Sequence, residues 1–153
     1  MEPLDILLKD LGELLKTDLK VDNHHTCLVL IDKKLPIHLE LHTNGEHLLI
    51  GCCLMELPPG KIRENILREA MKSNGLPQPQ NGTLGYSTKT RHLILFSKLK
   101  METQTGEGLY QYLLPFIQKA YLWKEALERN QTPPLGQEGP SQSSDGKGMF
   151  GLK

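Results

Sequence analysis

The chain has 153 residues, enough for one compact domain and too few for two ordinary ones. Hydrophobic residues make up 38% of it, and 18 basic residues balance 18 acidic ones. With Lys33-Lys34 as the one adjacent basic pair, the chain lacks the concentrated positive charge that nucleic-acid backbones require.

The spacing of Leu4, Leu7, Leu8, Leu11, Leu14 and Leu15 predicts an amphipathic helix over Pro3 to Lys16, with Lys9, Asp10 and Glu13 on the opposite side. Thr26 to Ile31 is a β-branched, apolar run. Leu35 to Leu41 alternates, with leucine and isoleucine on one side and His38, Glu40 and His42 on the other. Asn44-Gly45 is a hairpin signal. His47 to Met55 is apolar at both parities, the pattern of a central strand covered on both faces. A second helix is expected over Lys61 to Ser73, after Pro58-Pro59-Gly60 and before Asn74-Gly75. Short and strong strand patterns follow over Gly82 to Ser87 and Arg91 to Lys98.

The last periodic stretch, Glu107 to Arg129, predicts a third helix, either kinked at Pro115 or beginning near Leu114. Residues 131–153 are rich in Gln, Gly, Pro and Ser, a composition of disorder, and end near the small apolar Met149-Phe150-Gly151-Leu152. The expected organisation is one domain over 1–130 with a disordered tail. The order α-β-β-β-α-β-β-α, with hairpin-length links between strands, implies an α+β fold on an antiparallel sheet.

The opening Met1-Glu2-Pro3-Leu4-Asp5 has no basic n-region and no long apolar stretch, so neither a secretory signal nor membrane insertion is expected. The three cysteines, Cys27, Cys52 and Cys53, are odd in number and two are neighbours. That favours reduced thiols and a cytoplasmic setting over a disulfide framework.

No catalytic signature is present. Gly60-Lys61 is not a phosphate loop, because Met55 and Ile62 stand where glycine and a hydroxyl residue are needed. No Gly-x-Ser-x-Gly elbow and no His-Glu-x-x-His occur. His38 and His42 share a strand face with Glu40 and could bridge zinc, helped by His24-His25 or His47. A solvated strand face is the simpler account, and neither a cofactor nor a metal is expected. The leucine-rich elements favour a module that binds another protein over an enzyme.

Several stretches together resemble the class I type III secretion chaperones, the Tir-chaperone or CesT-like family. They are Leu4-Asp5-Ile6-Leu7-Leu8-Lys9-Asp10-Leu11-Gly12, Leu48-Leu49-Ile50-Gly51-Cys52-Cys53-Leu54, and the helix from Ile62 to Met71 with Gly75 after it. Leu113, Phe116, Ile117, Ala120, Trp123 and Leu127 complete the set. The resemblance spans Leu4 to Asn130. It implies a bacterial cytoplasmic homodimer that holds the N-terminal segment of an effector, with components of the secretion apparatus as further partners.

By the same resemblance the client would lie on Leu8, Leu11, Leu15, Leu28, Leu30, Ile37 and Leu39. The dimer contact would use Ile62, Ile66, Ala70, Met71, Leu84 and Tyr86. For each of these residues ordinary core is the competing account. Neutral charge and Pro115 depart from the family's usually acidic pattern and unbroken last helix. The alternatives in other classes are a dimeric adaptor that binds a folded partner and a histidine-based metal protein.

Overall fold

The computed structural model describes residues 3–19, 21–22, 25–76 and 81–134. The proposed tail from 135 onward, its apolar end and His24 lie outside the described residues. Helix α1 spans Pro3–Leu15, followed by strands β1 (Thr26–Ile31), β2 (Leu35–Leu41) and β3 (His47–Glu56). Helix α2 (Lys61–Asn74), β4 (Thr83–Ser87), β5 (His92–Lys100), one 3-10 turn and helix α3 (Gly106–Leu127) complete the elements of the described residues. The five strands form one antiparallel sheet in the order β1-β2-β3-β5-β4, so the fold is α+β as the sequence pattern implies.

Strand alternation builds the core. Leu35, Ile37 and Leu39 of β2 are buried while His38 and Glu40 between them are exposed. The same parity buries Cys27 and Val29 of β1, Leu48, Ile50 and Cys52 of β3, and Leu93 and Leu95 of β5. Leu4, Leu7, Leu8 and Leu11 of α1 and Leu109, Leu113, Phe116, Ala120 and Trp123 of α3 join them in one cluster. Each fully buried leucine contributes roughly 1.5–3 kcal/mol, so this single layer of contacts dominates stability.

Local signals set the connections. Asp32 and Lys33 take φ of 53° and 59°, and Lys34 N–H donates to the Ile31 carbonyl at 2.9 Å. That is a tight hairpin turn with two left-handed residues, joining β1 to β2. At the β2–β3 hairpin Gly45 takes φ 74°, the freedom that Asn-Gly turns supply.

Helix α3 begins at Gly106, capped by Thr105, whose Oγ1 accepts from Gly108 N–H at 2.9 Å. Of the two alternatives the sequence leaves, the later start near Leu114 is thereby ruled out: the helix begins close to the expected Glu107 and runs through Pro115, with buried side chains on either side of it. Proline costs the hydrogen bond to the preceding turn, and packing of Leu113 and Phe116 offsets that loss. At Gly106 the helix comes so near α1 that a Cβ would lie 2.4 Å from Asp10 Cβ. Two polar anchors tie α3 to the sheet end. Buried Lys119 donates to the Gly82 carbonyl at 3.1 Å, and Lys124 to the Leu54 carbonyl at 3.2 Å.

A correction concerns β3. Its even-numbered residues from Leu48 to Leu54 are buried, but Leu49, Gly51 and Met55 are only half-buried and Cys53 is exposed. The strand is central between β2 and β5, yet among the described residues helices cover only one of its faces. Central position in a sheet satisfies backbone hydrogen bonds; it does not by itself cover both faces.

Candidate functional site

The uncovered face of the sheet is built by register. Leu28 pairs with His38, His38 with Gly51, Gly51 with Phe96, and Phe96 with Thr83. Directly paired residues of an antiparallel sheet point to the same side, so these five form one row. Leu30–Pro36 and Cys53–Ile94–Gly85 lie on one side of that row. On the other side lies Thr26–Glu40–Leu49–Lys98. Leu28, Leu30 and Phe96 are 55%, 53% and 42% exposed, which leaves substantial apolar area in water. Lys98 and Lys100 stand at the β5 end of the face, with no ion pair to any described residue.

The two sheet edges differ. At β4 the side chain of Asn74 donates to the Leu84 carbonyl at 2.8 Å and accepts from Leu84 N–H at 2.9 Å. One amide thereby imitates a neighbouring strand and closes the edge at that point. Arg63 reinforces the join between α2 and the sheet: it donates to the Leu57 carbonyl at 2.8 Å and sits 5.8 Å from the Tyr86 ring centroid. At the other edge Asp22 closes β1 at its first residue, accepting from Thr26 N–H at 3.0 Å and donating its own N–H to the Thr26 carbonyl at 2.9 Å; beyond Thr26, β1 carries no strand on its outer side among the described residues, and Leu28 and Leu30 flank that stretch.

The structure divides the residues expected to bind a client. Leu8, Leu11, Ile37 and Leu39 are at most 1% exposed and lie in the core between helices and sheet. Leu15 is half-buried against that core. Leu28 and Leu30 are on the opposite, uncovered face, so the seven do not make one groove. The reason is parity: Ile37 and Leu39 alternate with His38 and face inward, whereas Leu28 is paired with His38 and faces outward.

The residues expected at a dimer contact divide too. Ile66, Ala70 and Leu84 are buried within the chain, and Tyr86 is half-buried. Ile62 and Met71 are 39% and 74% exposed on α2. Alternation and helical spacing identified apolar positions correctly but could not say which surface each would meet.

Gly51, Phe96 and Lys98 were not singled out from sequence. A glycine inside an apolar strand was the available signal, since it marks a bulge or a close approach.

Chemistry at these surfaces is limited. Among the described residues no three His, Cys, Asp or Glu side chains gather to hold a metal ion. His42 and His47 meet edge to face at 6.4 Å beside the β2–β3 turn, where His42 Nδ1 accepts from Asn44 N–H at 3.2 Å. Burial pushes the Cys52 thiol up to about 12, which makes it a poor nucleophile. Among the described residues no helix is long and apolar enough to cross a membrane.

Solved structures share this fold. A chain of the HopA1–SchA chaperone–effector complex superposes with a TM-score of 0.67 at 22% identity, covering 81% of this chain and 94% of that one. For the Yersinia pestis type III secretion chaperone SycH in complex with a YscM2 fragment the TM-score is 0.62 at 18% identity, covering 77% and 97%. For the ExsC–ExsE complex it is 0.60 at 19%, covering 79% and 90%. No curated protein sequence matches the chain significantly. The Tir chaperone protein (CesT) family model matches residues 6–124, and the chain belongs to that family.

Proposed function

We propose that this protein is a type III secretion chaperone that binds the N-terminal segment of an effector and catalyses no reaction. The observation that carries the reading, beside family membership, is the β1 edge beyond Thr26, flanked by Leu28 and Leu30. An edge strand with alternating exposed leucines invites strand addition: main-chain hydrogen bonds supply affinity and the side chains supply contact. The effector segment pairs with β1 in extended form and covers both leucines. The β4 edge offers less, because Asn74 occupies Leu84 inside that short strand, whereas Asp22 closes β1 only at its first residue, Thr26, and leaves the Leu28–Leu30 stretch open.

The chaperone acts as a homodimer through α2 and β4. Ile62 and Met71 supply the exposed apolar surface for that contact, with Tyr86 beside it. Ile66, Ala70 and Leu84 support it from beneath.

The test is co-purification of the tagged full chain from a type III-secreting bacterium, with partners identified by mass spectrometry. Recovery of secreted effectors, lost when their N-terminal segments are deleted, is the expected result. Recovery of folded cytosolic proteins alone would refute the chaperone reading and favour an adaptor.

A further inference from the structure

Strand β1 offers its backbone outward at alternate residues. Thr26 turns its N–H and C=O away from β2: the N–H donates to the Asp22 carboxylate at 3.0 Å, and the C=O accepts from Asp22 N–H at 2.9 Å. The two-residue repeat of a strand carries the same orientation to Leu28 and Leu30, past the reach of Asp22. Their side chains are exposed beside those backbone groups. An edge of this kind pairs with extended segments, and proteins generally cover it.

One segment of the chain has the matching pattern and departs from the right place. Tyr121 of α3 donates to the Ile31 carbonyl at 3.4 Å and to the Asp32 carboxylate at 3.3 Å, so α3 finishes at the end of the sheet where β1 finishes. Asn130, at φ 56°, and the bond from Gln131 N–H to the Ala126 carbonyl at 2.9 Å stop the helix, and the described chain ends at Pro134. Residues 136–148 are Gly, Gln, Glu, Pro, Ser, Asp and Lys alone; Met149, Phe150 and Leu152 come next. A coil of that length spans about 20 Å, the length of β1 itself. Phe150 and Leu152 repeat at two, as Leu28 and Leu30 do. A segment entering from the Ile31 end runs antiparallel to β1, which sets Phe150 opposite Leu30 and Leu152 opposite Leu28. Each pair then exchanges two backbone bonds and puts its side chains together on the open face. No proline interrupts 149–153, and Lys153 comes opposite Cys27, clear of the Thr26 that Asp22 holds.

We propose that residues 149–152 cover the β1 edge of their own chain as an added strand, a placeholder that the effector segment displaces. The pairing follows from the edge and the matching repeat; the displacement rests on the chaperone reading. A short flexible tether holds the segment near its site at about millimolar local concentration, so even a weak strand keeps the edge covered. A client then binds with its affinity reduced by the fraction of edge left free, which excludes segments that pair only weakly.

The test is residue-level amide exchange by NMR on the full chain, comparing the wild type with Phe150→Asp plus Leu152→Asp. The Leu28 and Leu30 amides should exchange at least tenfold faster in the variant. The Leu84 amide, held by Asn74, is the control for folding and should not change. Leu152→Pro removes the N–H that faces the Leu28 carbonyl and should release the Leu28 amide as well. The protection in the wild type should survive tenfold dilution. Equal exchange in wild type and variants would overturn the proposal. Protection lost on dilution would also overturn it, since the covering strand would then come from a second copy.

The same proteins are titrated with the N-terminal segment of a co-purified effector. Tenfold protection corresponds to an edge about nine-tenths covered, so the double variant should bind the segment about tenfold tighter. Protection with equal affinity in both proteins would overturn the placeholder role. An effector segment bound equally by both, with no protection of β1, would sink the added strand and leave the chaperone reading intact. Protected β1 amides without any effector recovered by the wild type would keep the added strand and sink the chaperone reading.

Discussion

Replacing Leu28 and Leu30 together by alanine tests which face of the sheet meets the client. Full burial of a leucine contributes about 1.5–3 kcal/mol. Both side chains are already close to half-buried in the free chain, at 55% and 53% exposure, so about 1 kcal/mol remains for each to gain on binding. Losing both costs about 2 kcal/mol, a rise in Kd of roughly 30-fold. Stability should barely change, within about 0.5 kcal/mol, because neither residue packs in the core. Ile37→Ala is the counterpart on the buried face and should cost about 2–5 kcal/mol of stability through the cavity it leaves. Isothermal titration calorimetry with the N-terminal segment of a co-purified effector, beside urea unfolding, separates the two effects. A double alanine variant that binds as tightly as the wild type would refute the assignment of the client to β1.

Ile62→Asp with Met71→Asp should yield a folded monomer by light scattering, since both side chains are exposed on α2. Ile66→Asp and Leu84→Asp should instead unfold the chain, because each would bury a charge. A folded monomer from either would contradict the burial seen here. Asn74→Ala removes two hydrogen bonds to Leu84 and should cost about 1–3 kcal/mol in urea unfolding; no loss would mean that water replaces the amide.

The folded Cys52 thiol is raised from 9.0 to about 12, so the unfolded chain releases its proton first. The contribution is therefore complete below pH 9 and declines between pH 9 and about 12. Cys52→Ala should flatten the alkaline stability curve across that interval. Iodoacetamide at pH 8 should modify exposed Cys53 alone, and mass spectrometry showing Cys27 or Cys52 labelled in the folded chain would contradict their burial.

Much of the architecture was legible in the residues. Leucine spacing in α1, the alternation Leu35-Ile37-Leu39, the Asn44-Gly45 turn and the stripe from Leu109 to Leu127 identify the elements. Periodicity is a local property, set by 3.6 residues per helical turn and two per strand repeat. At Pro115 the sequence left two alternatives open, because a proline's local cost is readable while the packing of Leu113 and Phe116 that offsets it is not.

The sequence by itself determined which residues are apolar and in what rhythm, and hence the order of elements and the family resemblance. Tertiary structure decided which apolar residues are core and which are surface. Ile37 and Leu28 look alike in sequence, yet one lies under the helices and the other on the open face, because pairing register and helix placement join residues far apart in the chain.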